Sequence, residues 1–339
     1  MGKTIFTSHQ RSFPKYLTTK TKISVALCTY NGEKYIEAQL DSIFNQTMRV
    51  DEINICDDGS GDNTVSIIKI FQKKYPGVVS LHINETNLGV VKNFEKAIRL
   101  CSGDIIFLSD QDDEWVENKV EECMAYFNNN PGVLGCFTDA FIINADNKIL
   151  DKTLWESILF DAETKNENLF KFLLFYRNAV TGACLVIKRE SLPYIIPFVK
   201  IGKMLHDEWA GLKLAEKNLL GNINKPLIKY RIHNSQQTGL PAENYDNNYL
   251  NIRTAIFKND FTSYPLYHYY HWMTKLKSVP SLTKFFKIPP AFVSEMKTNR
   301  LISLKTYFNN KSFLVRKTEL AKWLFKKNND ITIKDFLAL

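Results

Sequence analysis

Residues 105–115 read Ile-Ile-Phe-Leu-Ser-Asp-Gln-Asp-Asp-Glu-Trp. The first four residues are apolar and predict a short buried strand. Asp110, Asp112 and Asp113 follow at once, and carboxylates this close raise one another's pKa unless something neutralises them. Oxygen ligands of this kind suit Mg²⁺ or Mn²⁺. A solvated acidic loop that caps the next helix has the same pattern, so the stretch predicts either a metal site or such a loop.

The sequence before this stretch alternates apolar runs with segments of helical periodicity. The runs predict strands at residues 22–28, 52–56, 78–83 and 105–108, and the periodic segments predict helices at 33–45, from the capping residues 60–64 to Tyr75, and at 90–101. This order predicts an α/β fold with a mainly parallel sheet and helices on both faces. Ligands of such sheets bind beyond the carboxyl ends of the strands. Loops 28–31, 57–60 and 109–113 are therefore the expected binding loops.

The rest of the chain has a different rhythm. Strands are predicted at residues 135–143, 182–187 and 226–232, and helices at about 167–176 and 205–217. From about residue 244 the sequence is aromatic, basic and helical in pattern, with breaks expected at Pro265, Pro280 and Pro289–Pro290. We divide the chain into an N-terminal extension (1–21), a catalytic domain (22–243) with halves 22–133 and 134–243, and a C-terminal region (244–339).

Composition narrows the class of protein. The chain has 339 residues, of which 45% are hydrophobic and 24% charged, as in soluble globular proteins. No apolar run is long enough for a spanning helix, which needs about 20 residues, and residues 1–22 do not resemble a secretory signal. The six cysteines form no CxxC pair and no zinc-binding spacing. They predict buried free thiols in a reducing cytoplasm.

The net charge of +8 is unevenly distributed. Residues 251–339 hold 16 Lys and Arg against 5 Asp and Glu, which leaves a net charge of −3 on the preceding 250 residues. Segment 264–272 is dense in aromatic rings, and segments 284–287 and 322–327 mix aromatic and basic residues. This composition is typical of helices that lie on an anionic membrane surface. A helical subdomain that packs its aromatics on the core has the same composition. Nucleic acid is not an expected partner, because the basic surplus is confined to this region and no nucleic-acid-binding motif is present.

Four motifs in order carry a resemblance to a known family: CTYNGEKYIEAQLDSIFNQT (28–47), ICDDGSGDNT (55–64), NETNLGVVKNFEKAI (84–98) and CSGDIIFLSDQDDEW (101–115). Residues 23–239 resemble the family 2 glycosyltransferases of GT-A fold. The resemblance is to the bacterial polysaccharide branch that includes rhamnosyl-, galactosyl- and glucosyltransferases. It implies a nucleoside-diphosphate-sugar donor and a Mn²⁺ or Mg²⁺ cofactor.

The resemblance also implies roles for residues of the first half. Thr29 and Tyr30 would line the base pocket, where an aromatic ring can stack on a base. Asp58 would hold the base, because a carboxylate accepts a hydrogen bond from an imide N–H. Asp110 would lie near the ribose, and Asp112 would bind the metal that bridges the two phosphates. By residue type alone, Asp58 or Ser60 is equally typical of a cap on the helix that follows.

Asp207 and Glu208 begin a predicted helix. First-turn acids complement the helix dipole, and that structural role is the simpler interpretation of the residues alone. The family places a catalytic base here, because direct displacement needs a carboxylate to take the acceptor's proton. The resemblance favours Asp207, with Glu208 as the second choice.

The segment Tyr230-Arg231-Ile232-His233 resembles the family's loop that closes over the donor. His233 would be a late metal ligand beside Asp112, since imidazole is acceptable to Mn²⁺, and Arg231 would lie near the diphosphate. A surface histidine after a strand is the simpler alternative. Residues 181–183 resemble a small-residue turn that lets the acceptor approach.

The resemblance and these residues together imply an inverting, metal-dependent glycosyltransferase that is cytoplasmic, with peripheral binding to the inner face of the cytoplasmic membrane as an open alternative. It would transfer a hexosyl or deoxyhexosyl unit of galactose, glucose or rhamnose type from a UDP- or dTDP-sugar. The acceptor would be a lipid-linked saccharide in O-antigen or capsule synthesis. One alternative is a nucleotidyltransferase, although residues 30–33 lack the Gly-rich triphosphate loop such an enzyme needs. The other is a non-catalytic saccharide-binding scaffold.

Overall fold

The computed structural model describes residues 21–233, 236, 255, 258, 260–312, 315 and 318. The predicted N-terminal extension (apart from residue 21) and the basic segment 322–327 lie outside these residues, and the proposed domain division remains a prediction. Nine strands form one sheet in the described residues: β1 (Ile23–Thr29), β2 (Glu52–Asp57), β3 (Val79–Ile83), β4 (Ile105–Ser109), β5 (Glu114–Trp115), β6 (Gly135–Ile143), β7 (Ile149–Thr153), β8 (Leu185–Lys188) and β9 (Leu220–Arg231).

Helices surround this sheet. They are α1 (Ile36–Phe44), α2 (Thr64–Lys74), α3 (Val90–Leu100), α4 (Lys119–Asn129), α5 (Leu154–Ile158), α6 (Asn166–Lys171), α7 (Leu192–Ile195), α8 (His206–Ala215), α9 (Pro265–Leu282) and α10 (Pro290–Asn309). A π-helical turn, Phe172–Tyr176, continues α6.

The strands are ordered β3-β2-β1-β4-β8-β6-β9-β5, and β7 pairs with β6. Strands β1 to β4 are parallel to one another, as predicted. Beyond β4 the sheet is mixed: β8 is antiparallel to both β4 and β6, whereas β9 is parallel to β6. Every residue of β1 and β4 is buried. Burial on both faces explains why these runs are continuously apolar and do not alternate.

The register of the parallel strands brings three loops together. Thr29 of β1 pairs with Asp57 of β2, and Leu27 pairs with Ser109 of β4. The segments that follow β1, β2 and β4 therefore begin at the same edge of the sheet. This is the edge at which ligands of open α/β sheets bind.

Several predicted elements are wrong in detail. Residues 182–184 form a 3₁₀ turn, and the strand begins only at Leu185. Strand β9 begins at Leu220 and not at Pro226. Pro226 lies inside the strand, at a shift in the register between β6 and β9 where a proline can be accommodated. Helix α9 continues past Pro280 into its last turn, where it packs beside α10. Pro265 and Pro290 do lie at helix starts, where a missing N–H is tolerated.

The described part of the C-terminal region packs on the catalytic core. The rings of Phe285 and Phe286 lie 5.6 and 5.5 Å from Trp209 of α8. Lys213 Nζ donates a hydrogen bond of 2.6 Å to the Phe285 carbonyl. These contacts agree with the subdomain interpretation for the aromatics that are described. No described helix has the length and apolar character needed to cross a membrane. All six cysteines are buried and unpaired, as predicted.

Candidate active site

A cleft of 630 Å³ opens at the carboxyl edge of the parallel strands. Eight of the nine predicted site residues line it: Thr29, Tyr30, Asp58, Asp110, Asp112, Asp207, Arg231 and His233. Glu208 is not among the described residues that line the cleft. The cleft thus brings together side chains from residues 22–133 and from residues 134–233.

Gln111 holds the loop after β1 against the acidic loop. Its Oε1 accepts a hydrogen bond of 2.8 Å from Tyr30 N, and its Nε2 donates one of 3.0 Å to Tyr30 O. A Cβ on Gly32 would lie 2.2 Å from Gln111 Oε1, so a glycine is needed for this close approach. The arrangement leaves Tyr30 37% exposed at the cleft.

The two aspartates after β2 have different surroundings. Asp57 is fully buried and accepts hydrogen bonds from Thr29 Oγ1 and Ser60 Oγ at 2.8 and 2.6 Å, which closes the loop. Asp58 lines the cleft. Its Oδ1 accepts from Leu88 N at 2.7 Å and its Oδ2 from Gly89 N at 2.9 Å, so the loop before α3 holds the carboxylate in place.

Asn84 also contributes to the support of Asp58, with an Nδ2 that donates to Oδ1 at 2.8 Å. A carboxylate offers about four lone pairs, and these contacts occupy two on Oδ1 and one on Oδ2. Asp58 Oδ2 therefore retains capacity to accept a further hydrogen bond from a ligand.

The acidic loop is electrostatically costly, as predicted. Burial raises the pKa of Asp110 to about 8, and repulsion from Asp112 and Asp207 adds to the rise. Burial also raises the pKa of Asp113 well above its usual range, with further repulsion from Asp112 and Asp110. Asp113 Oδ1 accepts a hydrogen bond from Arg231 N, whereas its Oδ2 has no hydrogen-bond partner in the described structure.

Arg231 is buried with its guanidinium bonded to the protein. Nε donates to the Asp112 carbonyl at 2.7 Å, and Nη2 pairs with Glu114 Oε1 at 2.9 Å. Nη1 donates to the side chain of Asn147, and the guanidinium carbon lies 4.6 Å from the centre of the Tyr35 ring. This set of contacts orients the acidic loop and uses most of the donors that a diphosphate would need.

His233 approaches the acidic loop from the end of β9. Its Nε2 lies 3.0 Å from Asp112 Oδ2, and its ring is 4.9 Å from that of Tyr35. Two donor atoms 3.0 Å apart fit adjacent positions around an octahedral Mg²⁺, whose ligand bonds are about 2.1 Å long. Over the described ranges no group of three or more His, Cys, Asp or Glu is arranged to hold a metal. The candidate ligand set is therefore this pair.

Asp207 is the second residue of α8 and is only 6% exposed. Burial raises its pKa to about 7, and hydrogen bonds from Glu208 N and Asn178 Nδ2 offset part of that rise. Glu208 is partly exposed. Of the two acids predicted as base candidates, the structure places Asp207 at the cleft.

Sequence reasoning missed three residues that support the site: Gln111, Asn178 and Lys119. Lys119 is fully buried at the start of α4; its Nζ donates to the Ala183 carbonyl at 2.8 Å and lies 4.0 Å from the Trp115 ring centre. Burial lowers the pKa of Lys119 to about 8. The signal in the sequence was that Lys119 follows the acidic loop closely. A positive charge there can partly neutralise the buried carboxyl group of Asp113.

Comparison with known proteins identifies the family. Residues 24–192 match the model of Glycosyl transferase family 2. The dTDP-rhamnosyl transferase RfbG of Shigella flexneri is 31% identical over 231 residues, which cover 63% of this chain and 73% of that protein. The chain belongs to glycosyltransferase family 2. An uncharacterized glycosyltransferase of Haemophilus influenzae is 24% identical over 222 residues, which cover 64% of this chain and 68% of that protein.

Solved glycosyltransferase structures share the fold. Staphylococcus aureus TarS in complex with UDP matches with a TM-score of 0.54 and 16% identity, over 86% of this chain and 93% of that one. The mannosyltransferase PcManGT from Pyrobaculum calidifontis, in complex with GDP-Man and Mn²⁺, matches with a TM-score of 0.51 and 18% identity, over 91% of this chain and 82% of that one. The predicted GT-A fold and family 2 glycosyltransferase activity are confirmed.

Proposed function

We propose that this glycosyltransferase transfers a deoxyhexosyl or hexosyl unit from a dTDP- or UDP-sugar to a saccharide acceptor, with inversion at the anomeric carbon. The observation that carries the proposal is the buried Asp207 carboxylate at the cleft, with a pKa of about 7. A general base works best when its pKa lies near the operating pH. The similarity to the dTDP-rhamnosyl transferase of Shigella flexneri supports dTDP-rhamnose as the first donor to test.

The nucleotide binds at the loops after β1 and β2. Tyr30 presents an exposed ring on which a base can stack, and Thr29 lines the same part of the cleft. The remaining lone pair on Asp58 Oδ2 accepts the imide N–H that uracil and thymine share. Asp110 binds a ribose hydroxyl, for which its protonated and ionised forms both have hydrogen-bonding capacity.

Asp112 and His233 would hold a divalent cation. Such an ion would supply positive charge to stabilise the departing nucleoside diphosphate. Arg231 acts as a positioning residue for this pair, because its Nε donates a hydrogen bond to the Asp112 carbonyl. This role replaces the direct diphosphate contact expected from the sequence.

Asp207 removes the proton from the acceptor hydroxyl as that oxygen attacks the anomeric carbon. The nucleoside diphosphate leaves from the opposite face, so one displacement inverts the configuration. Burial of Asp207 excludes water from one side of the carboxylate and keeps it basic at neutral pH. The acceptor is a saccharide of a surface polysaccharide such as O-antigen or capsule, carried on a lipid.

A lipid-linked acceptor places the enzyme at the cytoplasmic face of the membrane. Exposed lysines on α9, α10 and the segment between them support contact with anionic headgroups: Lys277, Lys284, Lys287, Lys297 and Lys305. Full-length protein in which Lys284, Lys297 and Lys305 are changed to Glu should float less with phosphatidylglycerol vesicles. The matched control changes three exposed lysines of α2, Lys69, Lys73 and Lys74, to Glu. Equal flotation of both variants and wild type would remove the membrane contact.

Thermal unfolding with a panel of nucleotide sugars tests the donor. The true donor at 100 times its Kd should add about 2.7 kcal/mol of stability, and this gain should need Mn²⁺ or Mg²⁺. Asp112→Asn should lose the metal-dependent gain, whereas Asp41→Asn, an exposed residue of α1, should keep it. A gain from dTDP-rhamnose that is equal with and without metal would contradict the proposed metal site.

A further inference from the structure

Asn178 lines the cleft and follows the π-helical turn Phe172–Tyr176 in the chain. Its Oδ1 accepts a hydrogen bond of 2.9 Å from Val180 N. An N–H can bond only to the amide oxygen, so this contact determines which way the amide faces. Asn178 Nδ2 consequently points its two hydrogens at the Val180 carbonyl and at Asp207 Oδ2, each at 3.2 Å.

The Asp207 carboxylate is held from two sides. Oδ1 accepts a hydrogen bond of 2.7 Å from Glu208 N at the start of α8. Oδ2 accepts from Asn178, which belongs to a segment 29 residues earlier in the chain. The backbone contact anchors one oxygen of the carboxylate, and the Asn178 contact anchors the other.

The charges around Asp207 oppose its ionised form. Glu208 on the same helix repels it, and Asp110 approaches from the acidic loop. His206, the preceding residue, is neutral because burial lowers its pKa to about 3. Arg177 is a cation that also lines the cleft. A neutral donor that faces the carboxylate directly is therefore valuable at this position.

We propose that Asn178 is a positioning residue for the base: its locked amide donates to Asp207 Oδ2 and holds the carboxylate in the orientation that receives the acceptor proton. The inference rests on the proposed role of Asp207. It makes the segment after the π-helical turn part of the catalytic apparatus. This role agrees with the π-helical turn that precedes Asn178, since such turns are frequent at functional sites.

The kinetic test measures nucleoside diphosphate release from dTDP-rhamnose with Mn²⁺ as a function of pH. Loss of a hydrogen bond to a charged group should move the acid limb of kcat/KM up by about one pH unit. Asn178→Ala should also lower kcat about tenfold at pH 7 and leave the donor KM within about twofold, because a positioning defect acts on the reacting state. Asn178→Asp keeps the acceptor for Val180 N and adds a like charge, so it should shift the limb further.

The matched control is Asn222→Ala. Asn222 Nδ2 donates to the carbonyls of Ala162 and Thr164 at 3.0 and 3.3 Å, and Asn222 is not among the cleft-lining residues. Its loss should leave the pH profile unchanged. If Asn178→Ala matches this control while Asp207→Asn is inactive, the inference fails and the proposed function stands. An active Asp207→Asn would overturn both.

A second measurement needs no donor. Thermal unfolding of wild type, Asn178→Ala, Asp207→Asn and the double variant gives the coupling between the two side chains. The coupling should be clear at pH 8.5, where Asp207 is ionised, and should shrink at pH 5, where it is protonated. Equal coupling at both pH values, or none at either, would overturn the inference whatever the donor.

Discussion

Replacing the proposed base should stabilise the protein at alkaline pH. Asp207→Asn keeps the shape of the side chain and removes its charge. The pKa of Asp207 is raised from 3.8 to about 7 in the folded protein, mainly by burial. That rise of about 3 units corresponds to about 4 kcal/mol, at 1.36 kcal/mol per unit. The ionised carboxylate therefore costs the folded state this order of free energy above pH 7.

The sign of the effect depends on pH. Because the folded protein holds the Asp207 proton more tightly than the unfolded chain, the stabilisation from protonation is complete below pH 4 and is lost as pH rises through 7. Asparagine is neutral at every pH and should gain stability over wild type only at the upper end. Its Nδ2 or Oδ1 also faces Asn178 Nδ2 less favourably, which costs about 1 kcal/mol. A net gain of about 2–3 kcal/mol at pH 8 remains.

Differential scanning calorimetry without ligand measures this gain. A stabilisation of about 2 kcal/mol corresponds to a rise in Tm of roughly 3 °C for a chain of this size. Asp207→Asn should therefore melt higher than wild type at pH 8 and at the same temperature or slightly lower at pH 4.5. If the variant melts below wild type by the same amount at both pH values, the carboxylate is not strained by burial, and the argument for a base that is active at neutral pH is refuted.

Three further predictions concern the support of the cleft. Lys119→Met should be most stable relative to wild type at pH 7, and this difference in Tm should shrink towards pH 10. The pKa of the buried Lys119 is lowered to about 8, so wild type becomes more stable as pH rises above that value. A difference in Tm that stays constant over this range would contradict the prediction. Gly32→Ala should displace Gln111 from Tyr30 and weaken nucleotide binding by up to about 30-fold in calorimetry, at about 1 kcal/mol for each of the two lost hydrogen bonds. Gly61→Ala, where a Cβ meets open space, should bind normally. His233→Ala should raise the Mn²⁺ concentration needed for half-maximal activity, and an unchanged requirement would remove His233 from the metal site.

The sequence was most informative where structure follows from local chemistry. The continuously apolar β1 and β4 could be recognised as buried parallel strands, and the polar residues at their ends could be placed at one edge. The family motifs then indicated the cleft residues in order. Asp57 was the exception, since only the structure shows that its carboxylate closes its own loop.

The supporting residues could not be predicted because their partners are distant in the chain. Lys119 meets the Ala183 carbonyl across 64 residues, and Gln111 meets Tyr30 across 81. Such pairs depend on how strands are ordered in the sheet, and no periodicity or motif reports that order. The length of β9 was missed for a related reason: pairing with β6 overrides the local preference of Pro226 against a strand interior.

The most direct test of the account is release of dTDP from dTDP-rhamnose, with water or an added saccharide as the acceptor, by full-length wild type and Asp207→Asn, each with Mn²⁺ and with the metal chelated. We expect metal-dependent release by wild type, and no release above background by Asp207→Asn although this variant still binds dTDP in calorimetry. Release by Asp207→Asn at the wild-type rate would contradict the central claim that this carboxylate is the base of the transfer.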